Sequence, residues 1–180
     1  RVAAGTLSAD PAQRAVADSL DKVLDGIRAT QGRSLLSRLT RRKDSLQGLY
    51  IHGGVGRGKT MLMDMFHDCL VERRYEGGQF RLHFHDFMVL AQDMIHAARN
   101  VGHKDPVDTA AAQLAKHGRV MCFDEMEVRD IADAMILARL FTGLFDCGVV
   151  VIATSNRHAN DLYKNGLHRD RFLPFIGLVK

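Results

Sequence analysis

The residues best suited to chemistry form a glycine-rich run, GGVGRGKT, which begins at Gly53 and ends at Thr60. The run fits the pattern G-x-x-x-x-G-K-S/T, and it lies between an apolar strand predicted at 48–52 and a helix predicted from 59 to about 71. Glycines let several backbone N–H groups turn toward phosphate oxygens, and the helix that follows adds its positive N-terminal end. The run therefore predicts a phosphate-binding loop, or P-loop.

The predicted nucleotide contacts are nine consecutive residues: Gly53, Gly54, Val55, Gly56, Arg57, Gly58, Lys59, Thr60 and Met61. Among them, Lys59 is expected to reach the β and γ phosphates, and the Thr60 hydroxyl to bind magnesium. The alternative is a glycine-rich turn without function, which the strand and helix on either side disfavour.

Two acidic residues follow a second apolar strand, predicted at 120–123. Because the C-terminal ends of parallel strands line the ligand crevice, Asp124 is expected near the magnesium and Glu125 near the attacking water. An acidic turn without function is the alternative, and Glu127 is a further candidate for the role of Glu125. Together with the P-loop, this pair predicts magnesium-assisted hydrolysis of a nucleotide.

Three more polar residues are candidates for the same site. Asn156 follows a strand predicted at 149–154, and its amide can position the attacking water or only cap the loop. Arg169 and Arg171 follow the last strand, and Phe172, Leu173 and Phe175 are expected to anchor that segment to the core. An arginine held in this way can reach the site of a neighbouring subunit, although surface salt bridges explain the pair equally well.

Two histidines, His83 and His85, fall two residues apart on one face of a strand predicted at 80–85. They could hold a metal ion, but no cysteine or third histidine is placed to complete the site. Packing or hydrogen bonding is therefore favoured.

Helices and strands alternate along the chain. Asp10 and Pro11 predict the start of a helix that extends to about residue 28, and a second short helix is predicted at 32–43. Strands predicted at 48–52, 80–85, 120–123 and 149–154 are separated by helices predicted at 59–71, 87–98, 106–117 and 131–145. This order predicts an α/β fold with a parallel sheet.

The composition indicates one soluble globular domain over residues 1–180, with a helical lead-in at about 1–46 and a core at about 47–180. No run approaches the roughly 18 apolar residues of a membrane span. The net charge is +4, and its one dense cluster is Arg38, Arg41, Arg42 and Lys43. No aromatic residue interleaves with this cluster, which favours a solvated helix face over a nucleic-acid or lipid surface. The cysteines, Cys69, Cys122 and Cys147, lack a CxxC spacing and indicate a reducing compartment.

Taken in order, the glycine-rich run, CFDEMEV, IADAMILARLF and ATSNRHANDLYKNGLHRDRFLPFI resemble the ZapE and AFG-like family of AAA+ ATPases. The resemblance covers most of the chain. Its most specific part extends from residue 154 to residue 176, and HFHDFM at residues 83–88 is also similar.

The resemblance implies a three-layer P-loop NTPase fold, the ASCE-type AAA+ core, with ATP and magnesium as its cofactors. Asp124 and Glu125 would be the Walker B pair, Asn156 sensor 1, and Arg171 or Arg169 the arginine finger. A C-terminal lid domain, with its sensor 2 arginine, is expected to be absent or truncated. Met126 and Glu127 stand where this family is expected to carry Phe and Gln.

The resemblance also implies a homo-oligomeric ring with shared ATP sites. Such proteins act on division-machinery proteins in the bacterial cytoplasm, or on client proteins of the inner membrane from the mitochondrial matrix. Either setting includes peripheral association with a membrane.

Two other classes of P-loop protein fit the sequence less well. Nothing in the sequence matches the N-K-x-D motif of GTPases, and a small-molecule kinase needs neither a glutamate beside the Walker aspartate nor a neighbour's arginine. Two alternatives remain open. A nucleotide-gated scaffold would bind ATP without releasing phosphate, and a loader of nucleic-acid machinery would be stimulated by DNA in a salt-dependent way.

Overall fold

The protein is described by a computed structural model, which covers residues 10–31, 47–72 and 75–180. The elements of these residues, in chain order, are α1 (Pro11–Gln31), β1 (Leu49–His52), α2 (Lys59–Glu72), β2 (Gln79–His83), α3 (Phe84–Asn100), α4 (Pro106–Leu114), β3 (Val120–Asp124), α5 (Ile131–Asp146), β4 (Val150–Ser155) and α6 (Leu173–Leu178). Short 3-10 helices lie at Ala115–His117, Ala159–Asp161 and Arg169–Phe172. The helix predicted at 32–43, with its basic cluster, falls outside the described residues.

The strands form one parallel sheet in the order β1-β4-β3-β2. Strand β4 lies inside the sheet, where Ile152 is opposite Leu49 of β1 on one side and Cys122 of β3 on the other. The prediction that β3 and β4 are adjacent parallel strands is therefore confirmed. Because the strands are parallel, their C-terminal ends lie along one edge of the sheet, and this edge carries the candidate site.

Side chains of the central strands alternate between two hydrophobic cores, as strand geometry requires. Val120, Cys122 and Ile152 pack with α1 and α2 on one face. Met121 and Phe123 pack on the other face, with α3, α4, α5 and α6, and form the second core. Two helical layers thus enclose the sheet, which confirms the predicted three-layer α/β fold.

Edge-to-face aromatic contacts join the C-terminal segment to the second core. The ring of Phe141 on α5 lies 5.8 Å from that of Phe123 and 5.0 Å from that of Phe175 on α6. Phe172 lies 5.1 Å from Phe175, and both side chains are fully buried. Leu173 was predicted to anchor the segment too, but it is 49% exposed, because Phe172 and Phe175 already occupy the inward face of this turn.

Side-chain caps begin two of the helices. The Ala12 N–H donates to Asp10 Oδ1 at 2.9 Å, which confirms the predicted start of α1. The Ala132 N–H donates to Asp130 Oδ1 at 2.6 Å at the start of α5. This second cap ends the loop that follows β3. That loop carries the candidate site residues Glu125 and Glu127.

The prediction of a strand at 80–85 is wrong at its C-terminal end. Strand β2 ends at His83, and α3 begins at Phe84 without an intervening turn. His83 and His85 therefore share no strand face, and His85 lies exposed in the first turn of α3. The alternating pattern fails here because the apolar side chains that follow recur at helical spacing, and the second core buries four of them: Phe87, Met88, Ala91 and Ile95.

Within the described residues, the helices lack the combination of length and apolar composition that crossing a bilayer requires. The three cysteines carry free thiols. Burial raises the pKa of the Cys122 thiol to about 12, so this thiol stays protonated at neutral pH and behaves as a core side chain.

Candidate functional site

The glycine-rich loop joins β1 to α2 and is fixed at both ends. The Gly53 N–H donates to the Ser155 carbonyl at 3.2 Å, and the Leu62 N–H donates to the Gly58 carbonyl at 3.1 Å. Gly56 and Gly58 have φ angles of 77° and 75°, a left-handed conformation that favours glycine. A Cβ atom placed on Gly56 would meet no atom within 4 Å, so the loop is open to a ligand.

The other predicted loop residues differ in their surroundings. The Val55 side chain is 87% exposed, and Arg57 is exposed as well. The Arg57 carbonyl accepts a hydrogen bond at 3.2 Å from Gln13 Nε2, which links α1 to the loop. Met61 packs against the core between α1, α2 and the sheet, and Thr60 is exposed at the start of α2. Within the described residues, the side chains of Val55 and Arg57 therefore project into solvent beside the loop.

Lys59, the first residue of α2, joins the loop to the end of β4. Its ammonium group donates to the carbonyls of Gly53 and Gly54 at 2.8 and 2.9 Å, and to Asn156 Oδ1 at 2.8 Å. An ammonium group has three donors, and all three are used here. The structure thus brings together Lys59 and Asn156, which are 97 positions apart in the sequence.

Asp124 ends β3 and is 2% exposed. Its Oδ2 accepts a hydrogen bond at 2.5 Å from Arg81 Nε on β2, whereas its Oδ1 is buried and has no hydrogen-bond partner among the described residues. Arg81 Nη1 also donates to Asp64 Oδ1 on α2 at 2.6 Å. The hydrogen bond to Asp124 raises the pKa of Arg81, and the one to Asp64 adds to that effect, so the guanidinium stays charged.

Glu125 is exposed and has a φ angle of 54°, a left-handed conformation that is uncommon for residues other than glycine. Two hydrogen bonds to Thr154 hold this backbone: the Glu125 N–H donates to Oγ1 at 3.1 Å, and the Met126 N–H donates to the carbonyl at 2.8 Å. Strained backbone of this kind is concentrated at functional sites. Here it turns the chain away from β3 directly after Asp124.

A cleft lies between the ends of β3 and β4, and its lining includes Glu125, Glu127, Asn156 and Arg157. Glu127 makes ion pairs with Arg129 at 2.7 Å and with Arg157 at 3.7 Å. The hydrogen bond from Arg129 lowers the pKa of Glu127. Glu127 is thus held by two cations, whereas the Glu125 carboxylate makes no side-chain hydrogen bond to another described residue.

The two candidate arginines differ in their contacts. Arg169 is partly buried, and its Nη2 donates to the Asn160 carbonyl at 2.5 Å. Arg171 is exposed, and its side chain makes no hydrogen bond or ion pair with any residue that the structure describes. Neither arginine contacts the loop of its own chain through a hydrogen bond or ion pair.

Sequence reasoning missed Arg81 and Asp64. Arg81 lies on the polar face of β2, with Gln79 and His83, but its side chain is only 26% exposed. A charged residue in a strand of a predicted sheet was the one available signal, since such a residue needs a partner when it is partly buried. The identity of that partner depends on the register of β2 against β3, in which Arg81 is opposite Cys122 and His83 is opposite Asp124.

The oxygen atoms at the end of β3 fit a magnesium ion. Mg²⁺ prefers hard oxygen ligands and is commonly held by one or two carboxylates together with substrate phosphates. The buried, unpartnered Oδ1 of Asp124 is such an oxygen. Thr60, at the start of the helix that carries Asp64, offers a hydroxyl oxygen.

The parallel sheet, with a glycine-rich loop between its edge strand and a helix, defines the class of P-loop NTPases. Solved structures support this fold. DnaA from Aquifex aeolicus bound to AMPPCP superposes with a TM-score of 0.59 at 18% identity, over 95% of this chain and 46% of that one.

The chain belongs to the AFG1-like ATPase family, whose sequence profile matches residues 1–180. It is 50% identical over 143 residues to lactation elevated protein 1 homolog B of Danio rerio, and this match covers 74% of the chain and 28% of that protein. It is 42% identical over 155 residues to cell division protein ZapE of Escherichia coli K12, over 86% of the chain and 40% of ZapE. The chain thus spans less than half the length of these relatives.

Proposed function

We propose that this chain is the nucleotide-binding core of a magnesium-dependent ATPase, which converts ATP and water to ADP and phosphate and uses the reaction to act on partner proteins. Membership of the AFG1-like ATPase family supports ATP as the nucleotide. The lack of an N-K-x-D motif in the sequence agrees with this choice over GTP.

The observation that carries the proposal is the 2.8 Å contact between Lys59 and Asn156. This contact joins the phosphate-binding loop to the cleft that Asn156 and Glu125 line together. A carboxylate for the water and an amide to orient that water thus line one cleft, and the amide contacts the cation for the phosphates. These are the groups that phosphoryl transfer to water requires.

Each of these residues has a separate part in the proposed reaction. Lys59 exchanges its present acceptors for phosphate oxygens and stabilises their negative charge. Glu125 accepts the proton of the water that attacks the γ phosphorus, while the bond to the β–γ bridging oxygen breaks. Asn156 keeps an amide NH₂ that is available to orient the water, because its Oδ1 is the atom that contacts Lys59.

Asp124 and Thr60 are the residues that would hold the magnesium ion. When bound, the ion would neutralise charge that develops on the phosphate oxygens.

We infer that Arg171 acts on the ATP of a neighbouring subunit in a homo-oligomeric ring. Its exposure, together with the rigid anchor of Phe172 and Phe175, supports this role, whereas Arg169 is engaged with the Asn160 carbonyl. The partners would be division-machinery proteins in a bacterial cytoplasm, as the name of the E. coli relative suggests, or client proteins in the mitochondrial matrix.

Titration with a fluorescent ATP analogue tests the proposed site. Lys59→Ala should weaken binding by at least about tenfold, because it removes a charge-assisted hydrogen-bond donor to the phosphates. Lys116→Ala is the matched control, since Lys116 is exposed in the 3-10 helix before β3, far along the chain from the loop. Equal affinity of Lys59→Ala and Lys116→Ala would place the phosphates elsewhere.

A further inference from the structure

Arg81 joins two acidic residues that belong to different elements. Its Nε donates to Asp124 Oδ2 on β3, and its Nη1 donates to Asp64 Oδ1 on α2. Arg81 belongs neither to the glycine-rich loop nor to the acidic pair after β3. Its side chain is 26% exposed and that of Asp124 only 3%, so the contact between them is largely removed from water.

We propose that Arg81 is a positioning residue that holds Asp124 with Oδ1 directed to the magnesium of MgATP. This inference rests on the proposed function, because it concerns the metal that accompanies the nucleotide.

The first argument is the division of the Asp124 oxygens. Arg81 donates to Oδ2, and Oδ1 is buried without a hydrogen-bond partner in the part of the chain that the structure describes. A buried, unsatisfied carboxylate oxygen is unfavourable unless a ligand completes it. The hydrogen bond from Arg81 Nε also opposes rotation of the Asp124 carboxylate, so Oδ1 stays the oxygen that is available to a ligand.

The second argument is that Arg81 connects the two elements that carry the proposed magnesium ligands, Thr60 and Asp124. Thr60 and Asp64 are four residues apart on α2 and therefore lie on the same face of that helix. Arg81 binds Asp64 on this face and Asp124 at the end of β3. It thereby links the helix that carries one ligand to the strand that carries the other.

The third argument concerns charge. Two carboxylates and one guanidinium leave a net negative charge of one on this cluster, so Arg81 compensates the buried Asp124 without abolishing its attraction for a cation. Partners that orient a metal ligand in this way typically change metal affinity by about 10- to 100-fold when they are altered.

The test uses Arg81→Lys, which keeps the positive charge but replaces the planar guanidinium, which donates from two nitrogens, with a single ammonium group. Electrostatic repulsion of magnesium is thus held constant, and only the geometry changes. The readout is the affinity of a fluorescent, non-hydrolysable ATP analogue, measured in EDTA and across a magnesium titration. Arg139→Ala is the control, because Arg139 also bridges two carboxylates, Asp105 and Asp108, but all three side chains are more than half exposed.

We expect Arg81→Lys to raise the half-saturating magnesium concentration by about 10- to 100-fold while leaving the affinity in EDTA unchanged. Asp64→Asn should shift it in the same direction by a smaller factor. Because the Asp64 side chain is 52% exposed, Asp64→Asn should fold, so the contact between Asp64 and Arg81 can be tested even if Arg81→Lys does not fold.

A wild-type magnesium response in both variants would overturn the inference and leave the proposed function intact. Equal losses of affinity with and without magnesium would also overturn it, since they would indicate a purely structural role. If the wild-type protein bound the analogue without any response to magnesium, the proposed metal site itself would be wrong, and the inference would fall with it.

Discussion

At the residue scale, the two arginines near the C-terminus can be told apart by their surroundings. Arg169 donates to the Asn160 carbonyl and is partly buried, whereas Arg171 projects from the same 3-10 helix into solvent. An arginine that serves a neighbouring subunit must be accessible in the isolated chain. The contacts therefore favour Arg171 as the finger and give Arg169 a role in the stability of its own segment.

Arg171→Ala should slow ATP hydrolysis by about a thousandfold, with little effect on ATP affinity or on the unfolding temperature. Arg169→Ala should instead lower the free energy of unfolding by about 1.5–3 kcal/mol, because it removes one hydrogen bond made by a charged group. Phosphate release and thermal unfolding of both variants provide the comparison. The opposite pattern, with fast hydrolysis in Arg171→Ala and slow hydrolysis in Arg169→Ala, would assign the finger to Arg169.

Most of the candidate site at this scale could be predicted from short motifs. The sequence places Lys59, Asp124, Glu125 and Asn156 at strand ends or helix starts, and the structure puts them along one edge of the sheet. Arg81 and Asp64 could not be predicted, because their contacts join residues 43 and 17 positions apart across three elements. Such contacts depend on strand register and on the rotation of α2, which local patterns do not determine.

At the element scale, β1 must lie very close to β4 to set the position of the glycine-rich loop. A Cβ atom on Gly48 would come within 2.0 Å of the Val151 carbonyl oxygen, so only glycine fits directly before β1. The loop then begins at Gly53, whose N–H donates to Ser155 at the end of β4. The position of the loop thus depends on the register between these two strands.

Gly48→Ala should destabilise the protein by about 1–3 kcal/mol, since the added methyl group forces β1 away from the backbone of β4. It should also weaken ATP binding, because the loop moves with β1. Denaturant unfolding and analogue titration measure the two effects. Gly177→Ala is the matched control, because a Cβ atom there meets nothing within 4 Å. Equal stability of the two variants would show that β1 is not held at this distance.

The alternation of helices and strands was predictable, because periods of two and of three to four residues are visible in the apolar pattern. The pairing of β4 with β3 was predicted, but its pairing with β1 was not. The right-handed crossover between two consecutive parallel strands indicates only that those two strands are neighbours. The end of β2 was misplaced at His85, because Phe84 continues the alternation of the strand and also begins the helical pattern of α3.

At the scale of the whole molecule, the proposed role of Arg171 places residues from two subunits in one complete site. Arg171→Ala and Glu125→Gln should each be nearly inactive alone. Mixed oligomers of the two variants should recover part of the activity, because some sites then combine an intact Glu125 with an intact Arg171 from the neighbour. Phosphate release measured before and after mixing, with subunit exchange verified by fluorescence energy transfer, gives the result.

Absence of recovery despite proven exchange would indicate an arginine that acts within its own subunit. A specific activity that stays constant on dilution to the monomer would also contradict a shared site, because the neighbour's arginine is lost on dissociation.

The central claim, that ATP is hydrolysed in the cleft between β3 and β4, is tested most directly by single-turnover hydrolysis in Glu125→Gln, with ATP binding measured in parallel. This change keeps the shape of the side chain and removes its ability to accept a proton. We predict that ATP affinity is preserved and that the rate falls by about two to four orders of magnitude, the usual contribution of a positioned general base. A wild-type rate in this variant would contradict the account.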